Sequence, residues 1–192
     1  EQIKEELLGL MFNISPKSFF QTNSHGAEVP YKLVLDTAHK NSWTMLDLYG
    51  GTGTIGMIFS QAGAEKVYSV EMVKSSSQDG ATNAKENWLT NIEFINEKVE
   101  DFLTEFTKNP DNNADILVLD PPRAGMHPKA LPNILKFNAD QMIYVSCNPS
   151  TLARDIHYIL ENSDYKVESI TPMDMFPHTH HIETIVSLVK KS

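Results

Sequence analysis

The sequence predicts an α/β fold: a seven-stranded, mostly parallel sheet with helices on both faces and an antiparallel last strand. Strand-like segments alternate with helix-like segments along most of the chain, an order typical of a parallel sheet covered on both faces. The last two strand-like segments break the alternation, because only the Pro- and His-containing loop 172–182 separates them and so short a loop favours a hairpin. With 41% hydrophobic and 21% charged residues, the 192-residue chain is enough for one compact domain.

The elements follow from hydrophobic pattern and from the turn residues between them. Strands are predicted at residues 44–49, 66–71, 92–96, 115–120, 141–146, 165–171 and 183–189. Helices are predicted near residues 54–62, 75–88, 100–107, 128–137 and 150–162. Seven strands with a reversed last one form the Rossmann-like arrangement that is associated, by analogy, with class I methyltransferases. Residues 24–192 are interpreted as this domain and residues 1–23 as an N-terminal lead-in.

Composition excludes several classes of protein. A single cysteine rules out an internal disulfide and a Cys-rich metal or iron–sulfur site within this chain. No signal-like or membrane-length apolar run is present, so we expect a reducing, cytoplasmic location and no membrane partner. The net charge of −9 argues against binding a polyanion by bulk electrostatics, so any RNA binding needs local basic patches or another domain.

A glycine-rich segment, residues 47–56, follows the first predicted strand. Glycines there permit a tight turn and a close backbone approach to a ligand at a helix N-terminus. Glu71 ends the next strand about 20 residues on, where a carboxylate can accept hydrogen bonds from ribose hydroxyls. We therefore expect an adenosine-containing ligand, and both a nicotinamide cofactor and S-adenosylmethionine fit. The alternative is that the glycines only mark a strand-to-helix turn.

Asp120-Pro121-Pro122 directly follows a continuous apolar strand. The two prolines stiffen the loop and hold the Asp120 carboxylate at the carboxyl edge of the sheet. The tripeptide is similar to the loop of methyltransferases that act on planar nitrogenous bases, which favours S-adenosylmethionine over NAD. An ordinary turn opened by Asp-Pro is the alternative.

Cys147 is the single cysteine and ends another buried-looking strand, just before a turn marked by Pro149. A thiol there lies on the rim where such sheets bind ligands, so Cys147 is a candidate nucleophile. By position alone, a small buried hydrophobe is the commoner role for a free cysteine.

Taken together, these segments resemble the S-adenosylmethionine-dependent RNA 5-methyluridine methyltransferases, which modify uracil C5 in transfer or ribosomal RNA. Five motifs carry the resemblance: Ser18-Phe19-Phe20-Gln21-Thr22-Asn23 and residues 47–56, 120–125, 146–155 and 174–183. Their common order along nearly the whole chain is far more specific than any one motif. The resemblance implies a class I methyltransferase catalytic domain with S-adenosylmethionine as cofactor and tRNA or rRNA as partner.

The resemblance assigns the catalytic roles to Cys147 and Glu183. Uracil C5 is a weak nucleophile, so a thiolate adding at C6 creates an enolate whose C5 can attack the sulfonium methyl group. A base must then remove the C5 proton so that the thiol can be eliminated. Cys147 would supply the thiolate and Glu183 the base, although a carboxylate at a strand end is more often simply solvated.

The resemblance also implies binding residues. Six are assigned to the cofactor: Gln21, Tyr49, Gly51, Thr54, Glu71 and Asp120. Thr54 stands where many relatives carry Asn, and Asp120 would alternatively contact the uracil edge. Phe19 would stack on a flipped base. Arg123 is a candidate phosphate contact, as are Lys129 and Arg154, with solvated surface as the alternative.

Two further features bear on partners. His178, His180 and His181 invite a metal site, but the proposed chemistry needs no metal, so none is expected. Relatives usually carry RNA-binding parts before the catalytic domain, so residues 1–23 are interpreted as the remnant of a linker from such a missing domain. Two other functions stay open: a methyltransferase acting on an exocyclic amine, which needs no thiol, and a non-catalytic adenosine- or RNA-binding module.

Overall fold

The structure is a computed structural model that describes residues 3–16, 24–39, 43–109, 112–137, 139–174, 178–179 and 182–191. Within these ranges the strands are β1 (Ile3–Leu7), β2 (Leu10–Ile14), β3 (Thr44–Leu48), β4 (Lys66–Val70), β5 (Ile92–Ile95), β6 (Ile116–Leu119), β7 (Gln141–Ser146), β8 (Tyr165–Met173) and β9 (Glu183–Lys190). The helices are α1 (Ser24–Thr37), α2 (Thr54–Gln61), α3 (Lys74–Glu86), α4 (Val99–Phe106), α5 (Ala130–Lys136) and α6 (Pro149–Glu161). In the described part of the chain, no helix is long and apolar enough to span a membrane.

Seven strands of the described chain form one sheet in the order β5-β4-β3-β6-β7-β9-β8. The pairs from β5 to β7 are parallel. β9 runs antiparallel to both of its neighbours, β7 and β8. The predicted fold class is therefore confirmed, and the ends of the predicted strands differ from the observed ones by no more than two residues.

Apolar side chains cover both faces of this sheet. On one face, Leu103, Ile134 and Ile159 bring α4, α5 and α6 against the strands. On the other face, Val34 of α1 and Phe59 of α2 belong to a second cluster. Because both faces are covered, all four residues of β6 are buried. The carboxyl ends of the central strands are consequently the places where polar side chains can meet a ligand.

The chain order reverses between β3 and β6. After β3 the chain builds outwards through β4 and β5, and then returns to β6 on the other side of β3. In open α/β sheets, ligands bind at the carboxyl ends of the strands beside such a switch point. The topology therefore gathers the loops after β3, β4, β6 and β7 around one crevice.

Three elements, β1, β2 and α1, were not predicted from the sequence. β1 and β2 form an antiparallel hairpin inside the segment interpreted as a lead-in, with Leu8 and Gly9 both at positive φ in its turn. Leu7 and Phe12 of this hairpin are fully buried in a cluster with α2 and α3. α1 contains Pro30, a residue that usually argues against a helix. The lead-in thus contains a hairpin that is packed on the domain.

Candidate active site

A cavity of about 650 Å³ opens at the carboxyl edge of the sheet. It is lined by the loops after β3, β4, β6 and β7, by the start of α4 and by the first residue of β9. Eight of the predicted site residues line it: Tyr49, Gly51, Thr54, Glu71, Asp120, Arg123, Cys147 and Glu183. Two others, Phe19 and Gln21, lie outside the described residues, and the candidate phosphate contacts Lys129 and Arg154 do not line the cavity. Residues far apart in sequence thus face one cavity.

Cys147 and Glu183 lie at the same end of the antiparallel pair β7–β9. The β7–β9 pairing ends at Ser146–Thr184; Cys147 directly follows Ser146, and Glu183 directly precedes Thr184. Cys147 is a free, partly exposed thiol, and Glu183 is half-buried. The thiol and the carboxylate therefore flank the end of one strand pair, and both line the cavity.

The loop after β3 leaves its backbone accessible to a ligand. Gly51 adopts a φ of 57°, and a Cβ added there would have no atom within 4 Å. The carboxylate of Glu71 is held beside it, because Oε2 accepts from Gly51 N at 3.0 Å and Oε1 accepts from Val73 N at 2.6 Å. Each oxygen keeps lone-pair capacity for a further donor. A fixed carboxylate next to open backbone suits a diol such as that of a ribose.

Asp47 belongs to the cavity lining, although sequence analysis assigned it no role. Its side chain is fully buried, and Oδ2 accepts from the Ser69 hydroxyl at 2.8 Å and from Gly56 N at 3.2 Å. Oδ1 has no hydrogen-bond partner among the described residues. Burial raises the pKa of Asp47 to about 6; the charge of Glu71 adds to this, and the two hydrogen bonds oppose it. A buried acceptor without a partner is costly, so Oδ1 is available to a donor on a ligand.

Two further carboxyl groups of the cavity have raised pKa values. Burial raises the pKa of Asp120 to about 8, with added contributions from the charges of Glu183 and Asp47. Burial also raises the pKa of Glu183, while the Arg123 guanidinium lowers it. At neutral pH Asp120 is therefore largely protonated and can donate a hydrogen bond. Shifts of this kind in a cleft are typical of functional sites.

Four hydroxyl-bearing side chains, Tyr31, Tyr49, Thr52 and Thr54, complete this lining. Tyr31 reaches the cavity from α1, and burial followed by the charges of Asp120, Asp47 and Glu183 raises its pKa. Its phenol is therefore a neutral donor, and no motif marked it because α1 itself was not predicted. Burial raises the pKa of Tyr49 to about 12, and the Tyr49 hydroxyl accepts from His127 N at 3.5 Å. The Thr54 hydroxyl lies 3.2 Å from that of Thr52.

Arg154 makes intramolecular contacts at the position where a phosphate contact was considered. Its guanidinium pairs with Asp155 at 2.8 Å and donates to Ala124 O at 3.0 Å. The described residues contain no group of three or more His, Cys, Asp and Glu side chains that could hold a metal. His180 and His181 fall outside those residues, so the absence of a metal stays a prediction.

The sheet with its reversed β9, and the crevice beside β3 and β6, define a class I methyltransferase fold. An S-adenosylmethionine-dependent methyltransferase from Agrobacterium tumefaciens shares this fold with a TM-score of 0.73 over 100% of this chain and 71% of that chain, at 17% sequence identity.

Residues 3–191 match the family described as tRNA (uracil-5-)-methyltransferase, and the chain belongs to that family. It is 46% identical to an uncharacterised RNA methyltransferase from Clostridium tetani over 100% of this chain and 41% of that protein. It is also 46% identical to one from Caldanaerobacter subterraneus over 98% of this chain and 40% of that protein. The chain therefore spans 40–41% of the length of these relatives.

The chain is also similar to a solved structure, the Pyrococcus abyssi tRNA (uracil-54, C5)-methyltransferase in complex with S-adenosyl-L-homocysteine. The two chains share 32% sequence identity and a TM-score of 0.84, over 98% of this chain and 44% of that chain.

Proposed function

We propose that this chain is the catalytic domain of an S-adenosylmethionine-dependent RNA (uracil-5-)-methyltransferase, which methylates C5 of a uridine in tRNA or rRNA through a covalent adduct. Membership of the tRNA (uracil-5-)-methyltransferase family supports the reaction class. The observation that carries the proposal is that Cys147 and Glu183 line one cavity and flank the last residue pair of β7 and β9, Ser146–Thr184. A nucleophile and a base that face one ligand are what addition and elimination at adjacent ring carbons require.

S-adenosylmethionine supplies an electrophilic methyl group on a positively charged sulfur. The residues of the cavity fit this cation and its nucleoside. Glu71 accepts from the ribose hydroxyls, and Gly51 leaves room for the nucleoside against the backbone. The free Oδ1 of Asp47 accepts from the methionyl ammonium, which relieves the cost of its missing partner. Tyr49, Thr54 and Gln21, the last of which lies outside the described residues, complete the proposed cofactor site.

Cys147 starts the chemistry on the uracil ring. Its thiolate adds to C6 and forms the S–C6 bond; the C5–C6 π electron pair becomes a C4–C5 double bond, and the C4–O4 π pair moves onto O4 to give an enolate. A donor beside O4 stabilises that charge, and the protonated carboxyl of Asp120 or the guanidinium of Arg123 can supply it. C5 is then nucleophilic enough to accept the methyl group, and the donor would leave as S-adenosyl-L-homocysteine as its S–CH₃ bond breaks.

Glu183 completes the cycle. After transfer, C5 carries both the new methyl group and its original hydrogen. The Glu183 carboxylate takes that hydrogen as a proton, the C5–H electron pair restores the C5–C6 double bond, and the S–C6 bond breaks to release the Cys147 thiolate. Asp120 lines the same cavity as Glu183 and Asp47, which supports a role for Asp120 beside the reacting groups.

RNA recognition draws on few groups of this chain. A net charge of −9 disfavours bulk attraction to phosphates, so recognition relies on local contacts and on another domain. Phe19 is proposed to stack on the extruded uracil, and Arg123, exposed at the rim of the cavity, to contact the RNA.

The proposal is tested with RNA that contains 5-fluorouridine. Fluorine at C5 cannot leave as a proton, so the enzyme should remain covalently attached to the RNA after methyl transfer. We expect an adduct, detected by denaturing gel and by mass spectrometry, that depends on both Cys147 and S-adenosylmethionine. Full methyl transfer to RNA by Cys147→Ala would instead select an exocyclic amine as the acceptor, and donor binding without any transfer would select a non-catalytic module.

A further inference from the structure

The loop that follows β6 is tied to the first two turns of α6 through its backbone carbonyls. Asn148 Nδ2 and the Thr151 hydroxyl donate to Arg123 O at 3.0 and 3.1 Å. One residue further on, Arg154 Nη2 donates to Ala124 O at 3.0 Å. Side chains of one element therefore hold two successive peptide groups of the other.

Asp155 contributes to the same contact between α6 and the loop. It is fully buried, accepts from Met126 N at 2.8 Å and from the Tyr144 hydroxyl at 2.6 Å, and pairs with Arg154. Gly125 lies directly on this pair with a φ of 79°; a Cβ there would come within 2.5 Å of Arg154 Nη2 and 2.6 Å of Asp155 Oδ2. The loop backbone thus rests on the Arg154–Asp155 pair with no room for a side chain between them.

Each side of this contact carries a proposed reacting group. α6 begins two residues after Cys147, and the loop carries Asp120 and Arg123, which line the cavity with Cys147. We propose that Arg154 and Asp155 are positioning residues, which make α6 and the loop one rigid unit and so set the distance between the Cys147 thiol and the groups that hold the uracil. This inference rests on the proposed function.

Weakening the contact between α6 and the loop should affect the reaction of Cys147 with uracil more than donor binding at Glu71. A displacement of about 1 Å at a reacting centre can cost on the order of 100-fold in rate. Addition of Cys147 to C6 should therefore slow. Donor binding should change little, because the proposed ribose ligand Glu71 is held by Gly51 N and Val73 N, which take no part in the contact.

The test compares two variants at Thr151 with one variant at Arg154 and one control at Lys190. Thr151→Val keeps the shape of the side chain and removes the hydroxyl that donates to Arg123 O, whereas Thr151→Ser keeps that hydroxyl. Arg154→Gln removes the guanidinium that donates to Ala124 O and pairs with Asp155. Lys190→Gln is the matched control, because it breaks an ion pair with Asp140, 3.2 Å long, at the other end of β9. The rate of adduct formation with 5-fluorouridine RNA is measured at saturating S-adenosylmethionine, and the donor Kd and Tm are measured separately.

We expect Thr151→Val and Arg154→Gln to slow adduct formation by about tenfold or more, with a donor Kd within about twofold of wild type. Thr151→Ser and Lys190→Gln should behave as wild type. Equal rates in all four variants would overturn the positioning role, as would a loss of rate that only parallels lower Tm and weaker donor binding. Absence of an adduct in the wild-type protein would refute the proposed function, and this inference with it.

Discussion

Two polar clusters of this protein are built in opposite ways. One joins the β1–β2 hairpin to α3, and the other lines the cavity. At the hairpin, side chains of Asp79, Asn83 and Asn87 meet backbone groups of Ser15, Asn13 and Met11. Four residues of a helix advance about 6 Å and two residues of a strand nearly 7 Å, so the two spacings match. α3 therefore pairs with the outer edge of β2 much as another strand would.

The hairpin cluster satisfies both partners of each contact. Asn83 Oδ1 accepts from Asn13 N at 2.8 Å, and its Nδ2 donates to Asn13 O at 3.1 Å. Asn87 makes the same two bonds with Met11, at 2.9 and 2.7 Å. One side-chain amide supplies a donor and an acceptor in the geometry of a peptide group. Polar clusters in which every group is hydrogen-bonded stabilise a fold and leave few free donors or acceptors for a ligand.

The cavity cluster is left open. Asp47 Oδ1 has no partner among the described residues, and burial raises the pKa of Asp47, Asp120 and Glu183. Polar side chains thus stabilise the fold where their hydrogen bonds are satisfied, and they remain available to a ligand where they are not. Substitutions at the two clusters should separate stability from chemistry.

The largest expected effect is on chemistry. Cys147→Ala should lower formation of 5-methyluridine by at least about 10³-fold, because no other group described in the cavity is a thiol. The free energy of unfolding should change by less than about 1 kcal/mol, since Cys147 is partly exposed. Mass spectrometry of RNA digests and urea unfolding measure the two quantities. Cys147→Ser serves as the control that keeps size and polarity.

Glu183→Gln should lower turnover by about 10²- to 10⁴-fold and leave C6 addition intact. The enzyme should then accumulate as an adduct on ordinary uridine RNA, visible on a denaturing gel. In the wild type, the base must be ionised, and burial raises the pKa of Glu183. Turnover should therefore fall with decreasing pH through a pKa above the ordinary glutamate value of 4.5. Slow turnover with no trapped adduct would contradict the assignment of Glu183 as the base.

At the hairpin, Asn83→Ala should lower the free energy of unfolding by about 2–3 kcal/mol, because the buried N–H and C=O of Asn13 lose their partners. Turnover per folded molecule should be unchanged. Asn162→Ala is the matched control: its amide bonds to Tyr158 O at an exposed site, and the expected change is about 0.5 kcal/mol. A loss of activity in folded Asn83→Ala would show that the two clusters are not separable.

The smallest expected effect has the opposite sign for stability. Burial raises the pKa of Asp47 from 3.8 to about 6, so the folded state holds a proton that the unfolded state releases in this window. Stability of the wild type should fall as pH rises from 3.8 to 6 because of this group. Asp47→Asn removes that loss, so at pH 7 it should be more stable by on the order of 1–3 kcal/mol, with no gain near pH 4.

The same substitution should weaken S-adenosylmethionine binding by about tenfold, since the amide cannot replace a charged acceptor for the ammonium. Urea unfolding at several pH values and calorimetric titration with the donor measure these effects. Asp47→Asn that is less stable than wild type at pH 7, or that binds the donor equally well, would show that Oδ1 is not the open acceptor inferred from the structure.

The sheet and much of the cavity could be predicted because their signals are local. The central strands are rich in apolar residues, β6 being a continuous apolar run, and the polar residue that follows such a strand must lie at the carboxyl edge. Glu71, Asp120 and Cys147 were selected in this way, and the pairing of β7 with β9 brings Glu183 to the same end of the sheet as Cys147. Their chemical roles remain proposals.

Other parts gave no local signal. The hairpin holds its place through amides that lie about 70 residues away in sequence. α1 contains a proline and is held in place by packing on the sheet. Tyr31 lines the cavity because α1 packs at this position.

The sequence by itself determined the order of strands and helices from residue 44 onwards, the residues at the ends of those strands and the family to which the chain belongs. Those properties depend on hydrophobic period, on turn chemistry and on motifs read within a few residues of one another. The tertiary structure alone decided which polar atoms are paired and which are open. Hydrogen-bond satisfaction and desolvation depend on groups brought together from distant segments, as the free oxygen of Asp47 and the paired amide of Asn83 show.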